Sequence, residues 1–282
     1  MAKLLRISGW VILFWTVFLS GLVGPAVAEA SSYDDYGAVL QEFVNQEGLV
    51  NYRGLKADPQ KLENFLHALA QVHPEDYKKW PVPQQIAFWI NAYNALTLKA
   101  IIDHYPIKAS FWRSLKFPRN SIRQIPGVWT DLRFPVMGRR MTLDEIEHGI
   151  LRRQFNEPRI HMALVCAALG CPPLRPEPYV GDKLNDQLND QARHFLANPK
   201  KFKIDRQEGQ VYLSPIFKWF GEDFIRIYGT NARFSRFQPK ERAVLNFIQN
   251  YLSKADQEYL FKGDYVISYL DYDWSLNERP DQ

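Results

Sequence analysis

Between Gln84 and His104 the chain reads QQIAFWINAYNALTLKAIIDH, and no solvated side can be drawn on it. Placed on a helix at about 100° per residue, Ile86, Phe88, Trp89, Tyr93, Leu96 and Ile101, with their apolar neighbours, cover almost the whole circumference. A helix that is apolar all round is buried. Its Asn, Thr and Lys residues interrupt it too often for a membrane span. The rest of the chain must therefore wrap this segment. Asn91, Asn94 and Thr97 step by three and line one narrow stripe of it. Buried amides are costly unless hydrogen-bonded. Either they tie the helix to neighbouring backbone, or they face a cavity and orient a substrate or a catalytic group.

The flanking sequence supplies short elements in no regular strand–helix alternation. Residues 33–52 read as an entry helix and a loop, and 58–72 as a helix with Leu62, Phe65, Leu66 and Leu69 on one side. VWTDLRFPVMGRRM reads as a hairpin or two short strands around Met137-Gly138. Thr142-Leu143-Asp144-Glu145 is a capping box that opens a helix running to about Arg153. Glu147 projects into the apolar stripe of that helix, where an acid must meet a partner or take a raised pKa, and His148 lies at the margin. Glu147 is thus a buried salt bridge, a loop cap, an acid/base or a metal ligand. Residues 182–197 and 242–252 read as helices, VYLS (211–214) as a strand, and Ser214-Pro215 as the cap and first turn of another helix. VISYLDYDWSLN closes the chain as a strand and an aromatic turn. The expected fold class is α+β: a helix-rich single domain with the central helix packed on a small, mostly antiparallel sheet.

Both cysteines fall in RIHMALVCAALGCPPL (159–174). IHMALVC reads as a strand buried on both faces. If extended throughout, it puts His161 and Cys166 on opposite faces; they pair directly only if it bends or ends before Cys166. Cys171 lies beyond the Gly170 turn and can approach either. Three readings stay open. Cys166 and Cys171 form a disulfide, which a six-residue loop with a glycine permits. One of them is a nucleophile activated by His161, with Asn91, Asn94 or an acid orienting the imidazole. Or His161 and a cysteine, with Glu147 or His148, bind zinc, although no Cys-x-x-Cys or His-x-x-x-His spacing supports it. No metal and no cofactor is expected.

The first 28 residues do not look like part of the fold. A basic start (Lys3, Arg6), an apolar run from Ile7 to Val23 and Ala26-Val27-Ala28 match a signal peptide; an uncleaved anchor is the alternative. Both readings export the rest to a periplasmic or extracellular location. Losing Lys3 and Arg6 takes the net charge from +4 to +2. That near-neutral balance, with no long basic block, excludes nucleic acid as a partner. Membrane contact is expected only through the N-terminal segment, if it stays on.

The motifs FWINAYNALTL (88–98), MTLDEIEHGILR (141–152), RIHMALVCAALGCPPL (159–174), SPIFKWFGEDF (214–224) and YLDYDWSLN (269–277) occur in one order. In them the chain resembles the "domain of unknown function 547" family, over residues 80–277. The resemblance implies a shared site from these landmarks: Asn91, Asn94, Glu147, His148, His161, Cys166, Cys171, Asp223, Asp271 and Asp273. It implies no reaction. The organisation expected is a leader (1–28), an N-terminal helical extension (29–79), the family core (80–277) and a tail (278–282). The expected activity is a Cys/His-dependent hydrolase or acyl transferase acting on an amide or ester. The alternative is a non-catalytic binding or assembly module whose buried polar network serves the fold.

Overall fold

The structure, a computed structural model, describes residues 25–280; the expected apolar leader run from Ile7 to Val23 lies outside them. The central helix spans Val82–His104, opens on prolines at its first turn, and is buried from Ile86 to Leu98 without a break. Its main neighbours are the helix Gln60–Gln71, the short helix Tyr52–Ala57, the helical segment Glu145–Leu151 and the helix Leu184–Ala197. Together with Pro25–Phe43 these close round it, so the helices of the N-terminal region share one apolar core with it: Tyr36, Leu40, Phe65, Phe88 and Ile101 belong to the same cluster. Tyr36 stacks on Phe65 at 4.5 Å.

The expected α+β class holds, with many short helices and two small sheets. Strands β1 (Phe134–Val136) and β2 (Arg139–Met141) form the expected hairpin. Met137 and Gly138 both take positive φ, at 51° and 70°, the turn whose twist suits a two-residue hairpin. Strands β3 (Phe202–Asp205), β4 (Gln210–Leu213) and β5 (Val266–Tyr269) form the second sheet, β3 and β4 antiparallel, β4 and β5 parallel. This sheet does not carry the central helix. Its residues Phe202, Val211 and Leu213 pack in a second cluster with Phe217, Phe224 and Phe247, from the helices Pro215–Tyr228 and Pro239–Ile248.

Two apolar clusters therefore meet, and two elements belong to both. Leu184 and Leu188 of the helix Leu184–Ala197 point into the first cluster, while Ala192, Phe195 and Leu196 point into the second. Residues 158–163 divide likewise, Ile160 and Ala163 to the first and Met162 to the second. The chemistry-bearing residues gather along this seam. Among the described residues no helix is long and apolar enough to cross a membrane.

Candidate active site

The cysteine segment is not a strand. Residues Pro158–Met162 form a tight 3-10 turn, opened by Glu157, whose side chain accepts from the Arg159 N–H at 3.1 Å. An irregular stretch follows. It needs no ladder because Asn94 serves its backbone, donating to the Ala163 carbonyl at 3.0 Å and accepting from the Val165 N–H at 2.9 Å. Buried backbone groups must be paired, but the partner need not be a strand. A short apolar run cannot distinguish these cases by pattern. Because the stretch bends, His161 and Cys166 reach the same cleft. Ala167 takes φ 55°, the chain turns back through Gly170, and Cys166 and Cys171 form a disulfide with Cα atoms 6.2 Å apart. The Tyr272 hydroxyl lies 3.2 and 3.1 Å from the two sulfurs. Gly170 makes room for it, since a Cβ there would sit 2.7 Å from the Tyr272 ring.

On the opposite wall, the helix Pro215–Tyr228 starts as expected, with Ser214 accepting from the Ile216 N–H at 3.3 Å. One turn apart, it presents Phe220 and Asp223. His161 stacks on Phe220 at 4.2 Å and 14°. Its Nε2 lies 2.7 Å from Asp223 Oδ2. Arg152 grips the same carboxylate with two donors, at 2.6 and 3.0 Å, and its guanidinium lies over Phe220. Burial alone would raise the Asp223 pKa. The hydrogen bonds and charges of His161 and Arg152 outweigh it and hold the carboxyl well below the usual carboxylate range. The network runs on from Arg152 Nη1 to His148 Nδ1 at 2.8 Å, and from His148 Nε2 to Asp144 at 3.2 Å.

Glu147 stands between the walls. The capping box at Thr142 and Glu145 is present in both directions, at 3.1 and 2.8 Å. Beyond it the helix widens over Glu145–Leu151, where hydrogen bonds run one residue further back than in an α-helix. Such inserted turns recur at functional sites because they re-aim side chains. Glu147 meets the hydroxyl of Tyr93, which also receives a hydrogen bond from Trp129. Burial first, then the Glu147 charge, pushes the phenols of Tyr93 and Tyr272 up. The resulting cleft has a volume of about 380 Å³ and is lined by Glu147, His148, His161, Cys166 and Cys171. Its lip is aromatic: Trp219 lies 4.8 Å from Tyr272 and 6.1 Å from Trp274. Arg123, stacked over Trp129 and Trp274, adds a cation to the lining.

Of the residues expected at the site, the structure gathers Glu147, His148, His161, Cys166, Cys171 and Asp223. Asn91 and Asn94 do not line it. Both are spent on loop backbone, Asn91 donating to the Tyr179 carbonyl at 2.7 Å and accepting from the Tyr179 N–H at 2.9 Å. Asp271 and Asp273 border a neighbouring cavity, and Asp273 caps Ser275 at 2.9 Å. The zinc set of His161 with a cysteine is closed off in this form, because each sulfur is bonded to the other. Among the described residues no three His, Cys, Asp or Glu side chains are arranged to hold a metal ion. Sequence reasoning missed Arg152 and Phe220. The only local signal for Arg152 was its place one turn after His148.

A model of the family described as "Protein of unknown function, DUF547" matches residues 77–196. The match is to the family that the sequence motifs resemble. The DUF547 match includes Glu147, His161 and both cysteines but ends before Asp223, so the imidazole and the carboxylate that holds it come from either side of its boundary. No curated protein and no solved structure matches the chain.

Proposed function

We propose that the cleft hydrolyses an amide or ester, or transfers its acyl group, with His161 as general base. The observation that carries this is the His161–Asp223 contact, with Asp223 itself clamped by Arg152. An ionised carboxylate can only accept, so Nε2 carries the imidazole proton and Nδ1 keeps a lone pair. That is the tautomer and support a catalytic imidazole needs. Water is the nucleophile in the disulfide-bonded form. Nδ1 takes a water proton as the water oxygen bonds to the carbonyl carbon. The tetrahedral oxyanion then collapses, the bond to the alcohol or amine breaks, and the leaving group takes the proton back from Nδ1. Arg123 offsets the oxyanion charge, and Glu147, with the Tyr93 hydroxyl, orients the water. An alcohol or amine in place of water makes the reaction a transfer. The leader sequence and the disulfide support an exported, oxidising setting.

A second reading rests on exposure. Cys171 is buried, whereas Cys166 is partly open in the cleft. A dithiol reductant would open the disulfide, giving two thiols and becoming a disulfide itself; Cys166 could then pass its proton to Nδ1 and attack as thiolate.

The test is hydrolysis of nitrophenyl esters and nitroanilides of graded acyl size by the full-length chain, with and without dithiothreitol. Turnover in the oxidised chain that falls by about 10²–10⁴ in Asp223→Asn and His161→Gln supports the water mechanism. Turnover that needs dithiothreitol and is lost in Cys166→Ser assigns the nucleophile to Cys166. Saturable binding at the aromatic lip without turnover would make this a binding module and sink the hydrolase reading.

A further inference from the structure

The three most exposed large apolar side chains among the described residues are Phe111, Trp112 and Leu115, at 72%, 77% and 68%. They fall within five positions, on and just after the single helical turn Phe111–Ser114. Scattered exposed apolar residues need no explanation, but a contiguous cluster does. The charge around them is one-sided. From His104 to Thr130 the sequence has five Lys or Arg (Lys108, Arg113, Lys116, Arg119 and Arg123) and no Asp or Glu. No carboxylate among the described residues pairs with any of the five. Lys108, Lys116 and Arg119 are exposed, and Arg113 donates to the Arg123 carbonyl at 3.0 Å, bracing the turn.

We propose that this tip docks the protein on a bilayer carrying anionic headgroups, independently of the N-terminal segment. Phe111, Trp112 and Leu115 would enter the boundary between headgroups and acyl chains, where aromatic rings are favoured. Lys108, Lys116 and Arg119 would meet the phosphates. A four-residue helical turn is too short to fill a protein groove as an amphipathic helix does. Exposed cations with no carboxylate partner among the described residues, flanking exposed apolar side chains in sequence, match a negative surface with an apolar interior.

The test is vesicle binding by the full-length chain, with brominated lipids as fluorescence quenchers. The N-terminal segment also contains tryptophans, Trp10 and Trp15, so the reading is the quenching difference between wild type and Trp112→Phe. On phosphatidylglycerol-rich vesicles that difference should be clear, and it should vanish on phosphatidylcholine alone and at high salt. A triple variant, Lys108→Ser with Lys116→Ser and Arg119→Ser, should lower the tip's engagement by roughly a hundredfold. These side chains are exposed, so the variants should melt as wild type does. Equal quenching in wild type and Trp112→Phe on anionic vesicles would overturn the proposal. Equal quenching of Trp112 on neutral vesicles would overturn the part given to the basic residues.

Discussion

At the scale of single residues, the site depends on one carboxylate serving two side chains, the imidazole of His161 and the guanidinium of Arg152. Asp223 has a lowered pKa in the fold because of His161 and Arg152. Its contribution to stability is therefore complete above the unfolded value of about 3.9 and is lost as pH falls through the folded value. Asp223→Asn should be less stable than wild type by a constant margin from pH 7 to about pH 5, and the margin should close in stronger acid. Melting both proteins across that range checks it; a margin that widens towards acid would contradict the sign. Asn94→Ala should cost about 2–4 kcal/mol, because it strands the Ala163 carbonyl and the Val165 N–H in the core. Urea unfolding measures this. The chemistry of these residues was legible in sequence only as types. The Asn stripe announced itself by being polar on a buried helix, and of its two open readings the backbone tie is the one observed. Arg152 did not announce itself, since an arginine late in a helix is ordinary.

At the scale of elements, small residues decide where rings can lie. Gly170→Ala puts a Cβ into the Tyr272 ring, and an aromatic ring held against a disulfide has little room to move. The substitution should cost about 1–3 kcal/mol and change the near-ultraviolet dichroism of the aromatic lip. Gly149, within the widened turn, is a control: a Cβ there meets nothing within 4 Å, so Gly149→Ala should be neutral or stabilising by up to about 1 kcal/mol. Helices with a clear apolar stripe, such as Gln60–Gln71, were legible because periodicity reports burial directly. The widened turn at Glu147 was not. A π turn breaks the very period by which a helix is recognised, and the capping box before it looks the same either way. The His161 segment misled for the converse reason: its backbone partner is the Asn94 side chain, 69 and 71 positions upstream of the two residues it bonds, not a neighbouring strand.

At the scale of the whole molecule, the cleft lies where two apolar clusters join, with Tyr272 packed against both. Sequence patterning showed which faces are apolar but not which cluster each face joins, so the seam could not be read in advance. The disulfide is a local brace at this seam. Its loop of about six residues predicts roughly 2 kcal/mol of stabilisation from chain entropy, or about 4–8 °C in Tm on reduction. A much larger drop would mean that the bond holds the two clusters together rather than one loop. The two asparagines of the central helix carry a further consequence. Tyr179 and Val165 lie in irregular chain, yet their amides are buried on Asn91 and Asn94 at 2.9 Å each. In hydrogen exchange, loops ordinarily open by local fluctuation and core helices only with the whole fold. These two loop amides are bonded to a helix that cannot fray at its middle, so they should exchange at the pace of global unfolding, among the slowest in the protein, while nearby loop amides exchange far faster.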